Sequence, residues 1–405
     1  MTAGVVIVGG GQGGFQVAAS LREEGYAGPV TIVAEEADPP YQRPPLSKGF
    51  LLGKTPAEQL ALRPAAFYGE RAIELLPQTR VQAIDRAARR VQLSTGAWLA
   101  YEHLVLATGA RARMPRIPGV QLQDVLALRT QVDARQLLQS LGRARRVVIV
   151  GAGFIGLEVA VVARELGLHV DVLEFADRAM LRSVSPEVAN YLSDALAQRG
   201  VQFHFGTAAE AFEGDTQVRR VVTNRGTAFD ADLVVVGMGV EPEDALARDA
   251  GLAVGNGIVV DAQLCTGDPD ISAIGDCARF PARYCDQPLR LESVQNAVDQ
   301  ARCVAARIAG KPAAYDKVPW FWSDQGPNRL QIAGVAQAGD SAVMRGTLAE
   351  GKFSVLRFRG GRLTAVESVN SAADHMAARK LLAAGVALTP EQAADASVKL
   401  ASLAS

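Results

Sequence analysis

A chain of 405 residues exceeds what one ordinary hydrophobic core holds, so two or three domains are expected. With 49% hydrophobic and 21% charged residues and a formal net charge of −1, it reads as globular, with no bulk field for nucleic acid or an anionic membrane. No apolar run is long enough to span a bilayer, and a strand begins almost at the first residue with no cleavable leader before it, so a cytoplasmic location is expected.

Residues 4–9 read as a β-branched strand. It ends in Gly9, Gly11 and Gly14, a G-x-G-x-x-G turn that opens into helical sequence over 12–25. In such a turn the first glycine permits the tight bend and the second lets backbone approach a pyrophosphate; the third allows close packing of helix on strand. A second strand over 30–34 ends at Glu35 and Glu36. An acid there accepts hydrogen bonds from a ribose hydroxyl pair, and Glu35 aligns better with the strand end. A proline-rich loop covers 38–48, where Pro44 and Pro45 forbid a regular helix or central strand. Its Lys48 is either simply solvated or, beside an isoalloxazine, stabilises the anionic reduced ring. Residues 80–85 and 89–94 read as a hairpin leading to a buried parallel strand over 103–109, which contains Ala107 and ends at Gly109; 110–119 reads as a linker.

The dinucleotide signature then recurs. A second unit starts at Arg145; its strand 147–150 ends in Gly151, Gly153 and Gly156, and its strand 169–173 ends at Glu174. A helical stretch lies around 186–199 and a strand at 232–236, followed by Gly237. A carboxylate at Glu174 repels a 2′-phosphate and so favours NADH over NADPH. Arg178 and Arg182 cut slightly the other way, reach a pyrophosphate, or form a solvated basic face. Asp276 follows Gly275 at a strand end, where an acid either caps a helix or bonds the polyol of a flavin chain. A helix covers 293–309. From Trp320 the pattern changes to strands at 329–335, 341–347, 353–358 and 363–369 and a helix near 371–384, an α+β module. Trp320 and Trp322 alternate onto one strand face, either as core or as an aromatic edge where electrons leave.

Two signatures, each with its acid, predict two dinucleotides held at once: one tightly bound flavin and one exchanging nicotinamide. The four cysteines, Cys265, Cys277, Cys285 and Cys303, show no C-x-x-C spacing and none precedes residue 265. That excludes a redox-active thiol pair beside the flavin and gives no metal site. The first nucleotide domain is read as interrupted, with the second inserted into it.

Together the glycine turns, the loop Tyr41–Lys48, the segment Leu106–Arg111, the segments Thr266–Asp276 and Glu292–Ala297, and Trp320–Gln325 resemble a known family. It is the FAD-dependent, NADH-linked ferredoxin reductases of bacterial oxygenase systems, the putidaredoxin and rubredoxin reductase type. The resemblance spans essentially the whole chain. It implies an α/β, glutathione-reductase-like fold with two Rossmann-type dinucleotide-binding domains and a C-terminal α+β domain. The FAD domain would be 1–112 and 243–318, the NADH domain 113–242 and the last domain 319–405. FAD contacts would come from the first turn with Gly13, and from Glu35, Arg43, Lys48, Val81, Ala107, Arg129, Asp276 and Val294. NADH contacts would come from Gly151, Gly153, Ile155, Gly156, Glu158, Glu174, Arg182 and Gly237, with Glu292 near the nicotinamide. Lys48, Glu158, Trp320 and Trp322 would stand at the reacting centre. The implied reaction passes a hydride from NADH to FAD and then single electrons to a 2Fe-2S ferredoxin, with a P-450 monooxygenase favoured downstream over a Rieske dioxygenase. Because such ferredoxins are acidic and this chain is near neutral, docking would need a local basic patch, for which Arg63, Arg302, Arg329 and Arg379 are candidates. Competing readings on the scaffold are an NADH oxidase, a quinone or monodehydroascorbate reductase, and a signalling flavoprotein of the apoptosis-inducing-factor type.

Overall fold

The apolar run Val5–Val8 forms the middle of a parallel sheet in the computed structural model, which describes residues 3–283, 285 and 287–404. Contacts divide the chain into two units. The first holds Met1–Gln42, Ala57–Arg111 and Glu241–Lys317; the second holds Arg43–Pro56, Ala112–Val240 and Val318–Ser405. The proline loop around Lys48, assigned above to the FAD domain, thus groups by contact with the second unit.

In the first unit the parallel strands run in the order Ile73–Leu76, Val30–Val33, Gly4–Val8, Trp98–Leu106 and Ile271–Ala273. Gly4–Val8 and Val30–Val33 are buried along their whole length, which is why they read as unbroken apolar runs rather than alternating ones. The long strand Trp98–Leu106 changes partner midway. Residues 98–100 pair antiparallel with Arg90–Leu93, and residues 104–106 pair parallel with Ile271–Ala273. Helix Gln12–Glu23 packs against helix Val294–Ile308. Gly13 makes this possible: a Cβ there would sit 3.2 Å from Ile274 Cδ1 and 3.7 Å from Ala297 Cβ.

The second unit builds another five-stranded parallel sheet, in the order Val201–Phe205, His169–Glu174, Arg146–Val150, Leu233–Val236 and Val125–Ala127. Its outermost strand, Val125–Ala127, comes before the central one in the chain. The sheet therefore begins ahead of Arg145, where the sequence reading placed its start. A strand of three residues, of which only Val125 is buried, gives little periodic signal. Helix Gln131–Leu141 joins the two strands and is closed by a capping box between Thr130 and Asp133. A small antiparallel sheet of Ala209–Glu213, Arg220–Thr223 and Ala228–Asp230 follows.

The C-terminal strands form one antiparallel sheet in the order Trp320–Gln325, Asn328–Gly334, Arg362–Val369, Lys352–Arg359 and Ser341–Thr347. Alternation gives it two different faces. Leu356, Phe358 and Val366 pack under helix Ala372–Ala384. Phe353 and Glu367 face the other way, toward Tyr191 and Ser185 at helix Pro186–Gln198. Among the described residues no helix is long and apolar enough to cross a membrane.

Candidate functional site

The two glycine turns share one geometry. Gly9 has φ +120°, and a Cβ there would lie 2.2 Å from the Ala107 carbonyl oxygen; on Gly14 it would lie 1.9 Å from the Gly9 oxygen. In the second turn Gly151 has φ +105°, with the corresponding distances 2.6 Å to the Gly237 oxygen and 2.4 Å from Gly156 to the Gly151 oxygen. The protein's own backbone demands these four glycines. The middle pair differs: a Cβ on Gly11 would meet nothing within 4 Å, and one on Gly153 only the Gly237 oxygen at 3.6 Å. Packing does not require glycine at either position, whereas a pyrophosphate pressed against the backbone does. Helices Gln12–Glu23 and Phe154–Glu165 start at these residues with no side-chain cap and no acid in the first turn. Their first N–H groups and positive ends suit a dinucleotide's pyrophosphate.

The two ribose acids behave differently. Glu174 turns back on its glycine turn: Oε2 accepts from the Ala152 amide at 2.7 Å and Oε1 from the Ala176 amide at 2.8 Å. Glu35 is 68% exposed and pairs with Arg80 at 3.3 Å, while Glu36 accepts from the Tyr41 hydroxyl at 2.5 Å. Of the two loop arginines, Arg178 curls onto its own loop. It donates to the carbonyls of Ala179, Leu181 and Val184. Arg182 is exposed and extends toward Gly239, beyond Gly237. Ile155, in the first turn of its helix, is exposed as well.

A buried carboxylate joins three segments of the second unit. Glu158, one turn into helix Phe154–Glu165, is 3% exposed. Its Oε2 accepts from Lys48 Nζ at 2.7 Å and from the Ser47 hydroxyl; its Oε1 accepts from Ser323 Oγ at 2.6 Å. Pro44 and Pro45 fold the preceding loop into a 3-10 turn, Pro44–Ser47, that delivers Ser47 and Lys48 together. One cation and two hydroxyl donors thus satisfy both oxygens of the buried carboxylate. Nearby in sequence, Arg43 Nη1 donates to the Arg129 carbonyl at 2.6 Å, which brings two expected FAD contacts together. Ser47, Ser323 and Gln325 are not singled out by the sequence, although they lie inside the segments Tyr41–Lys48 and Trp320–Gln325. Alternation shows which face a serine takes but not what stands opposite.

The remaining expected residues fall as follows. Val81 is buried at the start of strand Val81–Asp85. Asp276 sits in a 3-10 turn, Gly275–Cys277, whose Gly275 amide donates to Gln300 Oε1 at 2.7 Å. Glu292 is exposed and pairs with Arg290 at 2.8 Å; Val294 opens a helix capped by Ser293. Trp320 and Trp322 are partly exposed, with ring centroids 5.6 Å apart. Arg379 lies 4.7 Å over the Trp320 ring and His375 packs edge-on at 5.8 Å. Burial, with help from Arg379 and Arg329, pushes the His375 imidazole down to about 4, so it is neutral at pH 7. Arg63 covers Phe15 and Phe67 at 5.9 and 5.7 Å. Arg302 and Arg329 pair loosely with Asp299 and Asp324, at 3.4 and 3.9 Å, and their side chains are 60% and 57% exposed. No group of three His, Cys, Asp or Glu residues that could hold a metal occurs among the described residues.

Comparison with known proteins places this geometry. Residues 3–301 match the family model described as pyridine nucleotide-disulphide oxidoreductase, and residues 320–404 match the model described as reductase C-terminal. The chain is 49% identical over 392 residues to rhodocoxin reductase of Rhodococcus erythropolis, covering 96% of this chain and 92% of that protein. It superposes with TM-score 0.97 on the ferredoxin reductase for the CYP199A2 system from Rhodopseudomonas palustris, at 47% identity and 100% coverage of both chains. It superposes with TM-score 0.96 on the reductase in a covalent putidaredoxin reductase–putidaredoxin complex, at 38% identity, covering 99% and 98% of the chains.

Proposed function

The chain belongs to the pyridine nucleotide-disulphide oxidoreductase family, in its ferredoxin reductase branch, and on that premise we propose that it carries electrons from NADH through FAD to a 2Fe-2S ferredoxin serving a P-450 monooxygenase. The observation that carries the reading is the pair of middle glycines, Gly11 and Gly153, which nothing in the protein requires. When bound, the flavin supplies the chemistry that links a two-electron donor to a one-electron acceptor. The first turn and the N-terminus of helix Gln12–Glu23 bind the FAD pyrophosphate, and the second turn with helix Phe154–Glu165 binds that of NADH. Glu174 receives the ribose hydroxyls of NADH. Lys48 contributes a fixed positive charge whose place is set by Glu158. No side chain is needed as a nucleophile, in keeping with four free thiols, none before Cys265. Those thiols and the use of NADH support a cytoplasmic location.

Anaerobic reduction by NADH, followed by turnover with a 2Fe-2S ferredoxin, oxygen, a quinone and ferricyanide side by side, tests the reading. Ferredoxin should be the preferred physiological acceptor; oxygen or quinone turning over faster would overturn it. Ferricyanide serves only as a control, since nearly any reduced flavin reduces it.

Two further outcomes are expected. The enzyme should prefer NADH, and Glu174→Ser should narrow the gap to NADPH by roughly 1–3 kcal/mol, the worth of a charge-assisted hydrogen bond. The ratio of kcat/KM values for the two nucleotides measures this, and an unaltered ratio would show that Glu174 does not meet the ribose. Ferredoxin reduction should slow as salt rises, while ferricyanide reduction changes little, because screening weakens steering. Arg302→Glu should raise the KM for ferredoxin and leave flavin reduction by NADH intact. Equal slowing of both steps, or of neither, would remove Arg302 from the docking surface.

A further inference from the structure

The strand Trp320–Gln325 has two faces with different tasks. Trp320 and Trp322 lie together on one. On the other, Phe321 packs on Phe154 with ring centroids 4.7 Å apart, and Ser323 and Gln325 are fully buried. Gln325 Nε2 donates to Ser323 Oγ at 2.8 Å and to the Phe154 carbonyl at 3.3 Å. With an acceptor lone pair of Ser323 occupied by that amide, its proton is directed at Glu158 Oε1, 2.6 Å away. The other carboxylate oxygen is thereby left for Lys48 and Ser47. Gln325 Oε1 has no partner although it is buried, a cost the fold carries at a residue whose other end orients Ser323.

We propose that Ser323, oriented by Gln325, is a positioning residue for flavin reduction: it fixes the rotation of the Glu158 carboxylate and through it the place of the Lys48 ammonium. The terminal torsion of a glutamate is soft, so a carboxylate lacking one donor turns to share the others. Without Ser323, Oε1 would be a buried charged acceptor with no donor, and Glu158 would swing toward Ser47 and Lys48. The C-terminal module thus takes part in the NADH half of the reaction as well as carrying the aromatic face. The inference rests on the flavin reading given above.

The test is anaerobic stopped-flow reduction by NADH of the FAD-loaded Ser323→Ala, Ser323→Thr and Gln325→Met proteins. Ser323→Ala should lower the limiting rate about ten-fold, the effect of a charge misplaced by a fraction of an ångström. FAD content and the half-saturating NADH concentration should hold within about two-fold of the parent, a split that loss of structure would not produce. Ser323→Thr, which keeps the hydroxyl, should recover most of the rate, and Gln325→Met should fall between. An unchanged limiting rate in Ser323→Ala overturns the proposal, as does a parallel loss of rate, FAD and NADH binding that threonine does not rescue. If Ser323→Ala does not fold, an unchanged rate in Gln325→Met overturns it. A parent protein that binds no FAD, or that NADH does not reduce, would instead overturn the underlying flavin reading.

Discussion

Replacing Gly11 with valine should yield a folded, colourless protein, whereas replacing Gly153 with valine should yield a yellow one that NADH no longer reduces. The contrast follows from what each glycine touches. A Cβ at Gly11 meets no protein atom within 4 Å apart from its chain neighbours, so packing does not demand glycine there. A side chain does fill the space where the pyrophosphate must approach the helix N-terminus. FAD content should drop from about one per chain to near zero, since the branched side chain blocks the backbone donors. At Gly153 the only neighbour is the Gly237 oxygen at 3.6 Å, an ordinary contact, and the same blockade falls on the nicotinamide dinucleotide. Reduction by NADH should fall by about 10²-fold or more, the cost of losing a positioned substrate. Gly14→Val should behave unlike either. Its Cβ would lie 1.9 Å from the Gly9 oxygen, and the strand–turn–helix cannot close around it. Flavin absorbance, far-ultraviolet circular dichroism and stopped-flow reduction read these outcomes. Normal FAD loading in Gly11→Val would show that the first turn does not face a dinucleotide.

The second large effect concerns stability. Glu367→Ala should cost about 3–5 kcal/mol, the range for removing one partner of a buried ion pair. Glu367 is fully buried in the C-terminal sheet. Its Oε2 accepts from the Ser185 amide at 2.7 Å, at the N-terminus of helix Pro186–Gln198, and its Oε1 accepts from Arg357 Nη1 at 3.0 Å. Alanine would leave the Arg357 guanidinium, 11% exposed and already carrying an unpartnered Nε, without its anion. Burial holds the Glu367 carboxyl above its usual range, against the pull of Ser185 and Arg357. A carboxyl raised in the folded state adds stability at acid pH, and that addition is lost as pH rises through its folded value. Glu367→Gln, which fixes the uncharged form, should therefore cost less than alanine and flatten this part of the stability–pH profile. Denaturant melts across the carboxyl range measure both effects; equal stability of the alanine variant and the parent would show that the pair is not holding the sheet to the helix.

The parts that could be read in the sequence are those where one residue type has one physical job. Gly9 and Gly151 stand in left-handed backbone that only glycine adopts cheaply, and they follow strands buried on both faces, so turn and strand announce each other. The long C-terminal strands, such as Lys352–Arg359, supplied enough residues for a pattern. Val125–Ala127 and Ile73–Leu76 went unread because three or four residues at a sheet edge carry almost no periodicity. Arg178 and Arg182 look alike in sequence, yet one is consumed by its own loop carbonyls. The network around Glu158 was out of reach for a deeper reason. Ser47, Glu158 and Ser323 come from a loop, a helix and a distant strand, and only tertiary closure decides that three donors converge on one carboxylate.

The two parallel sheets have the same layout over four strands, but the fifth place is filled from opposite ends of the chain order, by the last strand of the first sheet and the earliest of the second. The second sheet is complete once the chain has grown to Leu233–Val236, because its outermost strand, Val125–Ala127, was made beforehand. The first sheet, begun at Gly4–Val8, must wait for Ile271–Ala273. On the ribosome, then, the sheet that starts later closes earlier. Until residue 273 emerges, the second half of strand Trp98–Leu106 presents a bare row of amides and carbonyls, open to the wrong neighbour.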